Sequence, residues 1–440
     1  MSRRKKLSVE PVTATIESLT HEGRGITHVN GKTVFVDGAL PGETVSFQYI
    51  RQRSRYNEAG LLEILEPAME RIQPQCSFYG ICGGCSFQHV DSQFQIRHKQ
   101  NSLLEQLQYS GGIQPEIILP PLGGPEWGYR RRARLAVRYV DKKQKVLVGF
   151  REKNSSFVAD IDHCEVLHPA VGSILQDLQA LISRLTVFRQ LPQIEIAVAD
   201  NTTALVLRHL AELCDNDRVL LRQFSADHEL EIYLQAGGLE TITPLLPEHA
   251  GPLTYALPEH DISIEFMPTD FVQVNADINR AMINLALDLL GLDDHDEVLE
   301  LFCGLGNFTL PVARHCRQVI GVEGDDGLIQ RAEHNAVKNN IRNVDFYVAN
   351  LADNPLQTEF VHRNFNKVLI DPPRTGAMEI IRQLPFNNVD RIIYVSCNPA
   401  TFARDASFLV REKGFKLQKI GIMNMFPHTS HIESIALFIR

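Results

Sequence analysis

Three short stretches in the last third of the chain carry residue types that do chemistry when they share a crevice. The first, Tyr394-Val-Ser-Cys397-Asn-Pro399, is a strand-forming run that ends in a cysteine just ahead of a predicted helix. A thiol at a helix amino end is favoured as the thiolate, its nucleophilic form. The second, Leu369-Ile-Asp371-Pro-Pro-Arg374, puts a carboxylate at a strand end. The third, His428-Thr-Ser-His431-Ile-Glu433, lies near the carboxyl terminus, where Glu433 can return to the same crevice on the last strands. Taken one at a time, each has a plain structural reading: an inert core thiol, a strand stopped by Pro-Pro, a surface acid.

A fourth stretch supplies a cofactor turn. Phe302-Cys-Gly-Leu-Gly-Asn307 follows an apolar strand, and its two glycines let backbone approach a ligand. A dinucleotide fingerprint needs a third glycine where Thr309 stands, whereas Glu323, 17 residues after Gly306, suits two ribose hydroxyls. That combination fits S-adenosylmethionine better than NAD, with another small ligand as the alternative. A methyl donor, a nucleophilic cysteine and a carboxylate together suit methylation of carbon 5 of uracil. A thiolate adds at carbon 6, carbon 5 of the resulting enolate attacks the methyl sulfonium, and a base removes the carbon 5 proton so that the cysteine can leave. Two rival classes stay open. One is an amino-group methyltransferase using Asp371-Pro-Pro, although Arg374 stands where such motifs carry an aromatic residue; the other is a non-catalytic iron-sulfur RNA-binding protein in which the methyl-donor motifs are relics.

Outside these stretches, Cys76, Cys82 and Cys85 fall within ten residues, with Gly83 and Gly84 between the last two, and Cys164 stands apart. Four thiolates suit either zinc or a [4Fe-4S] cluster, and the spacing leaves that choice open. Cys303 lies in the cofactor turn, where a small residue suffices, and Cys214 and Cys316 read as structural. The net charge of -9 hides a concentrated basic stretch. Trp127 to Lys153 sums to +8, leaving -17 for the rest. Arg130, Arg131, Arg132, Arg134 and Arg138 within it form an electrostatic footprint for a polyanion, though on one strand only alternate residues can meet one surface.

The elements that must position these residues fall into three parts. Residues 8–67 read as five short strands with turn signals such as Asn30-Gly31, a small OB-like barrel of a type that binds oligonucleotides. Residues 68–270 form a central mixed α+β region with the cysteine group, a helix over 93–109 and the basic strand. Residues 271–440 alternate strand and helix, which predicts a mostly parallel α/β sheet of Rossmann-like type with ligands at the carboxyl strand ends. Composition excludes other classes. Hydrophobic residues are 44% and charged residues 22%, no apolar run is long enough for a membrane span, and eight cysteines are too sparse for a disulfide scaffold. The basic start Met1–Lys6 has no apolar segment after it, so the expected compartment is the reducing cytoplasm.

These features together resemble the RNA uracil-C5 methyltransferase family over almost the whole chain. The resemblance is carried by the amino-terminal barrel, which resembles a TRAM domain, the cysteine group, Phe271-Val-Gln-Val-Asn275, the Phe302 to Asn307 turn, Asp371-Pro-Pro-Arg374, Ser396-Cys-Asn-Pro399 and His431-Ile-Glu433. It implies that Gln273, Phe302, Asn307, Glu323, Asn350 and Asp371 contact S-adenosylmethionine, that Cys397 is the nucleophile and that Glu433 is the general base. Residue patterns alone do not single out Gln273 or Asn350. It implies a [4Fe-4S] cluster on Cys76, Cys82, Cys85 and Cys164, expected to act as a structural staple. Barrel and cluster together imply 23S rRNA as partner and uracil 1939, in the usual rRNA numbering, as the target that becomes 5-methyluridine. Another rRNA or tRNA uracil is the alternative. The target base must leave its stack, which costs least in looped or single-stranded RNA. No protein partner is called for, and a monomer is expected.

Overall fold

Short amphipathic strands build the first sheet. β1 (Val12–Thr15), β2 (Ser18–Leu19), β3 (Gly25–Val29), β4 (Lys32–Asp37), β5 (Thr44–Gln52) and β6 (Tyr56–Glu66) lie in the order β1-β5-β6-β4-β3-β2. Asn30 and Gly31 both take positive φ, 51° and 72°, as the two-residue turn between β3 and β4 requires. The sheet curls until its ends meet: the Glu17 amide donates to the Ile26 carbonyl (2.8 Å) and the Thr27 hydroxyl to the Thr15 carbonyl (2.8 Å). Ile16, Val34, Val36, Val45, Phe47 and Ala59 fill the interior. Six strands stand where five are expected, because the two-residue β2 is too short to leave an alternating pattern.

The computed structural model describes residues 10–247, 251–352 and 359–440. The Met1–Lys6 start and the first two residues of the expected barrel range lie outside the described residues. Contacts divide the chain into two units, one of Met1–Ser102 with Phe426–His431 and one of Leu103–Met425 with Ile432–Arg440. The expected boundary near residue 67 thus falls inside the first unit, and that near 270 inside the second.

In the first unit, Glu43 is fully buried and fixes the chain leaving the barrel. Its carboxylate accepts from Arg71 (2.5 Å) and from the backbone of Leu40 (2.8 Å). The cysteine loop follows, then helix α1 (Ser92–Gln106). The Phe426–His431 segment is gripped by this region. The His428 carbonyl accepts from the amides of Ser86 and Phe87 (2.9 Å each), and the Lys99 ammonium donates to the Phe426 carbonyl (2.9 Å).

The second unit holds two larger sheets. β7 (Ile117–Ile118) precedes the basic strand β8 (Arg132–Val140), which joins β9 (Lys145–Gly149), β10 (Gln193–Val198), β11 (Thr203–Arg208), β12 (Glu231–Gln235) and β13 (Ile242–Pro244) in the order β13-β12-β11-β10-β8-β9. Helices α2 (Pro169–Gly172), α3 (Leu175–Arg184) and α4 (Asp215–Asp227) lie between these strands in sequence. A hairpin, β14 (Leu253–Leu257) with β15 (Ile262–Phe266), leads to α5 (Ala276–Leu290).

The last third folds as the apolar runs require. β16 (Glu297–Leu301), β17 (Gln318–Glu323), β18 (Val344–Val348), β19 (Lys367–Ile370) and β20 (Arg391–Ser396) are parallel, with α6 (Thr309–Ala313), α7 (Asp326–Lys338), α8 (Met378–Gln383) and α9 (Pro399–Arg411) among their connections. β21 (Lys416–Met423) and β22 (Glu433–Ile439) add antiparallel strands, and β7 closes the edge, giving the order β18-β17-β16-β19-β20-β22-β21-β7. Val298, Leu299, Val368, Leu369, Ile392 and Ile393 are completely buried, as strands covered on both faces demand.

Candidate active site

Strand order locates the crevice. From β16 the chain steps outward through β17 and β18, then crosses back to β19 on the other side of β16. Ligands of such sheets bind outside the carboxyl ends of the strands at this reversal. The turns after β16 and β19 begin there with Phe302 and Asp371, and the Asp371 amide reaches the Leu301 carbonyl (3.4 Å).

The turn after β16 is conformationally specified. Phe302 has φ +65°, uncommon for a bulky residue. It is held there by its own amide (2.8 Å) and that of Cys303 (3.1 Å), both donating to the Val322 carbonyl. Gly304 (φ +53°) and Gly306 (φ +91°) need their freedom for the same reason. The Gly304 amide donates to one Glu323 carboxyl oxygen (3.2 Å) and the Gly324 amide to the other (2.6 Å), so the acid is locked beside the turn. The helix expected from about Asn307 begins at Thr309 and has only five residues. A helix dipole therefore contributes little here, and the turn is held by its own amides, the Gly306 amide donating to the Cys303 carbonyl (2.9 Å).

The other expected ligands of the methyl donor gather around this turn. Asn350 follows Ala349, whose amide donates to the Glu323 carbonyl (2.9 Å). Asn307 exchanges two side-chain hydrogen bonds with Asn279 of α5 (2.9 Å each) and accepts a third from the buried Tyr255 hydroxyl (3.0 Å). Gln273 lines a small pocket with Tyr255 and Asn279. Gln273, Phe302, Asn307, Glu323, Asn350 and Asp371 thus converge from five separate segments.

Sequence reading missed Tyr255 and Asn279, which hold Asn307, and also Glu300. The Glu300 side chain is 1% exposed in the middle of β16. Burial first, then the nearby Asp371 and Glu323, pushes its carboxyl up to about 8. An acid inside an otherwise apolar strand was the available signal. Burial alone pushes Asp371 up to about 7.

Cys397 sits where β20 hands over to α9. Asn398 caps the helix by accepting the Ala400 amide (3.1 Å), and Pro399 occupies its first position. β20 and β22 are antiparallel and their last pair is Ser396 with Ser434, which brings Glu433, the first residue of β22, near Cys397. The thiol is half-buried. Burial, then the charges of Glu433 and Asp371, pushes it up to about 11, with Arg374 pulling the other way. The thiol is therefore protonated at neutral pH in the absence of substrate. Cys303 is buried and its thiol is pushed well up, first by burial, which agrees with a spacer role. Cys316 is buried, and the exposed Cys214 caps α4.

The remaining expected residues are more dispersed. Cys76, Cys82 and Cys85 are half-buried in one loop, where the Gly84 amide donates to the Cys82 sulfur (3.4 Å). Cys164, also half-buried, belongs to the second unit. The donor type suits an iron–sulfur cluster, but among the described residues no three His, Cys, Asp or Glu side chains converge to hold a metal. Along the basic strand, Arg131 pairs with Asp200 and Arg132 donates to the Pro268 carbonyl. The Arg130 side chain donates to the Arg132 carbonyl (3.0 Å). Arg134 and Arg138 are exposed, although Arg134 also meets Glu195 (2.8 Å).

A glycine turn and an acid at the first two strands of a parallel sheet, with a thiol and a carboxylate near the ends of the fifth and last, make up the layout of a methyltransferase. The chain belongs to the tRNA (uracil-5-)-methyltransferase family, whose profile matches residues 93–440, and a TRAM domain matches residues 5–59. It is 50% identical over 439 residues to the 23S rRNA (uracil(1939)-C(5))-methyltransferase RlmD of Nitrosococcus oceani, covering 99% of this chain and 98% of that protein. It is 49% identical over 442 residues to the RlmD of Alkalilimnicola ehrlichii, covering 100% and 98%. Among solved structures, the Pyrococcus abyssi tRNA (uracil-54, C5)-methyltransferase in complex with S-adenosyl-L-homocysteine aligns with a TM-score of 0.74 at 20% identity, covering 97% of this chain and 100% of that one. At that identity the likeness speaks for the fold.

Proposed function

We propose that this chain transfers the methyl group of S-adenosylmethionine to carbon 5 of a uracil in 23S rRNA, uracil 1939 in the numbering its relatives' names use. The observation that carries this reading is that Glu433 and Asp371 both lie near the Cys397 thiol, just past the last β20–β22 pair, Ser396 with Ser434. The thiol gives its proton to water, and the cysteine sulfur bonds to carbon 6 of the flipped-out base as the carbon 5–carbon 6 double bond becomes an enolate. Carbon 5 then takes the methyl group, and the carbon–sulfonium bond breaks to release S-adenosylhomocysteine. Glu433 removes the carbon 5 proton, the ring double bond re-forms, and the carbon–sulfur bond breaks. Gln273, Phe302, Asn307, Glu323, Asn350 and Asp371 bind the methyl donor.

The chain then works in three parts. The barrel through residue 67 and the middle region to residue 270 hold RNA, and residues 271–440 do the chemistry. Arg134 and Arg138 are the arginines of the basic strand best placed to meet phosphates, because both are exposed. Cys76, Cys82, Cys85 and Cys164 would hold a [4Fe-4S] cluster acting as a staple, since methyl transfer consumes no electron. Four cysteines are the donor type that such a cluster takes. The work is done in the cytoplasm, where ribosomes are made, by a chain acting as a monomer. Among the described residues no helix is long and apolar enough to cross a membrane.

The test is to supply 23S rRNA lacking the modification with methyl-labelled donor and map the product. Label at uracil 1939, absent with Cys397→Ala, is expected. Label elsewhere overturns the target, and full activity of Cys397→Ala would point to amino-group methylation through Asp371-Pro-Pro.

A further inference from the structure

The loop after Asp371 is fastened to the helix that begins after Cys397, one bond at a time. The Arg374 carbonyl accepts from the Asn398 side chain (2.9 Å) and from the Thr401 hydroxyl (3.1 Å). The Thr375 carbonyl accepts from the Arg404 guanidinium (2.9 Å). The Ala377 amide donates to one carboxyl oxygen of Asp405 (2.7 Å), which also accepts from the Tyr394 hydroxyl (2.7 Å). The other Asp405 oxygen accepts from Arg404 (2.7 Å). Asp405 is completely buried. Between these bonds Gly376 takes φ +80°, and a Cβ there would stand 2.5 Å from the Asp405 carboxylate. Asn398, Thr401, Arg404 and Asp405 recur at helical spacing on one side of α9, so a single helix face supplies the whole set.

Such a fastening has one evident consequence for chemistry. The groups facing Cys397 are Glu433 from β22 and Asp371 and Arg374 from the loop. Arg404 and Asp405 on α9 are already paired with each other. Among the side chains named there Arg374 favours the thiolate, and its backbone is what α9 holds. Taking Cys397 as the nucleophile of the proposed reaction, we propose that Asp405, with Arg404 and Thr401, is a positioning residue: it clamps the Arg374–Ala377 turn so that the Arg374 guanidinium stays beside the nucleophilic sulfur. A buried acid in the middle of a helix thus tunes a thiol at the helix start without touching substrate.

The clamp is tested on the thiol itself, in the full-length chain. Iodoacetamide alkylation of the Cys397 peptide, followed by mass spectrometry from about pH 6 to pH 10, reports the thiolate fraction. Well below its pKa, a thiol raised by one unit loses about tenfold in thiolate. Arg374→Gln is expected to slow alkylation near pH 8 by about tenfold and move the profile to higher pH. Asp405→Asn should move it the same way by at least about threefold, and the double variant should react no more slowly than Arg374→Gln alone. An Asp405→Asn profile matching the unsubstituted chain, or a double variant showing the product of both effects, overturns the clamp. Should Asp405→Asn fail to fold, Thr401→Val removes one bond to Arg374 and must shift the profile in the same direction; an unchanged profile overturns the clamp. Methyl transfer is not read here. An error in assigning the nucleophile would instead appear as turnover by Cys397→Ala, so the two failures are distinguishable.

Discussion

Cys397 and Glu433 lie near each other because β20 and β22 run antiparallel and their last pair is Ser396 with Ser434, so Cys397 leaves β20 where Glu433 begins β22. The same proximity helps keep the thiol protonated until substrate arrives, since burial and the two neighbouring carboxylates push it up to about 11. A nucleophile stored as the thiol is protected from stray alkylation and oxidation, which act on the thiolate.

Stability should fall as pH rises through the range where Asp371 and Glu300 ionise. Burial pushes these carboxyls up to about 7 and about 8. In the unfolded chain they lose their protons near the ordinary carboxylate value of about 4. Between those limits the folded state binds more protons, so each contributes stability that is full at low pH and lost as pH rises through the folded value. Replacing Asp371 by Asn should stabilise the protein at pH 8 more than at pH 4, by about 4 kcal/mol, and raise the melting temperature accordingly. Equal shifts at the two pH values would mean that Asp371 is not buried as described.

Tyr255→Phe removes one of three hydrogen bonds that fix Asn307. Loss of a bond worth about 1 kcal/mol corresponds to roughly fivefold in binding. The expected result is a KM for S-adenosylmethionine raised by about that factor with kcat little changed. A fall in kcat at constant KM would place Asn307 in the chemical step instead.

Much of this arrangement was legible in sequence, and the reasons are local. Asp371 and Cys397 each end an apolar run, so the pattern that marks the strand also marks the residue at its mouth. Asn30-Gly31 announces its turn because few residue pairs tolerate two positive φ values. What could not be read is pairing between distant segments. Tyr255 and Asn279 meet Asn307 only after the β14–β15 hairpin and α5 have docked. Phe302 carries no sign of its left-handed backbone, and Asp405 looks like any helical surface acid until Tyr394 and Ala377 close over it. The basic strand shows the limit of counting charge. Alternation predicted that about half of its arginines could meet RNA, but not that Asp200 and Pro268 would occupy Arg131 and Arg132.

That difference makes a testable split. Arg134→Ala and Arg138→Ala should weaken RNA binding and each flatten the dependence of log affinity on log salt by about one unit, as loss of a phosphate contact does. Arg132→Ala should instead lower the melting temperature, because its guanidinium serves the Pro268 carbonyl. Binding titrations at several salt concentrations and a thermal melt separate the two. An unchanged salt slope for Arg134→Ala and Arg138→Ala would remove this strand from the RNA interface.

The proposed cluster predicts about four iron atoms and four acid-labile sulfides per chain after anaerobic purification. Cys82→Ser should lose most of both, and the melting temperature should fall with them. Zinc in place of iron, or iron content unaffected by the substitution, would contradict the assignment.

The central claim is a bond between the Cys397 sulfur and carbon 6 of the target uracil. The most direct measurement uses an RNA carrying 5-fluorouracil at the target position, with S-adenosylmethionine present. Methyl transfer leaves fluorine where a proton should be, so Glu433 has nothing to remove and the carbon–sulfur bond cannot break. A denaturation-resistant protein–RNA species, with the Cys397 peptide bearing the methylated nucleotide, is the predicted result, and it should be absent in Cys397→Ala. Methylated RNA released without any such species, or a species attached through another residue, would contradict the covalent route.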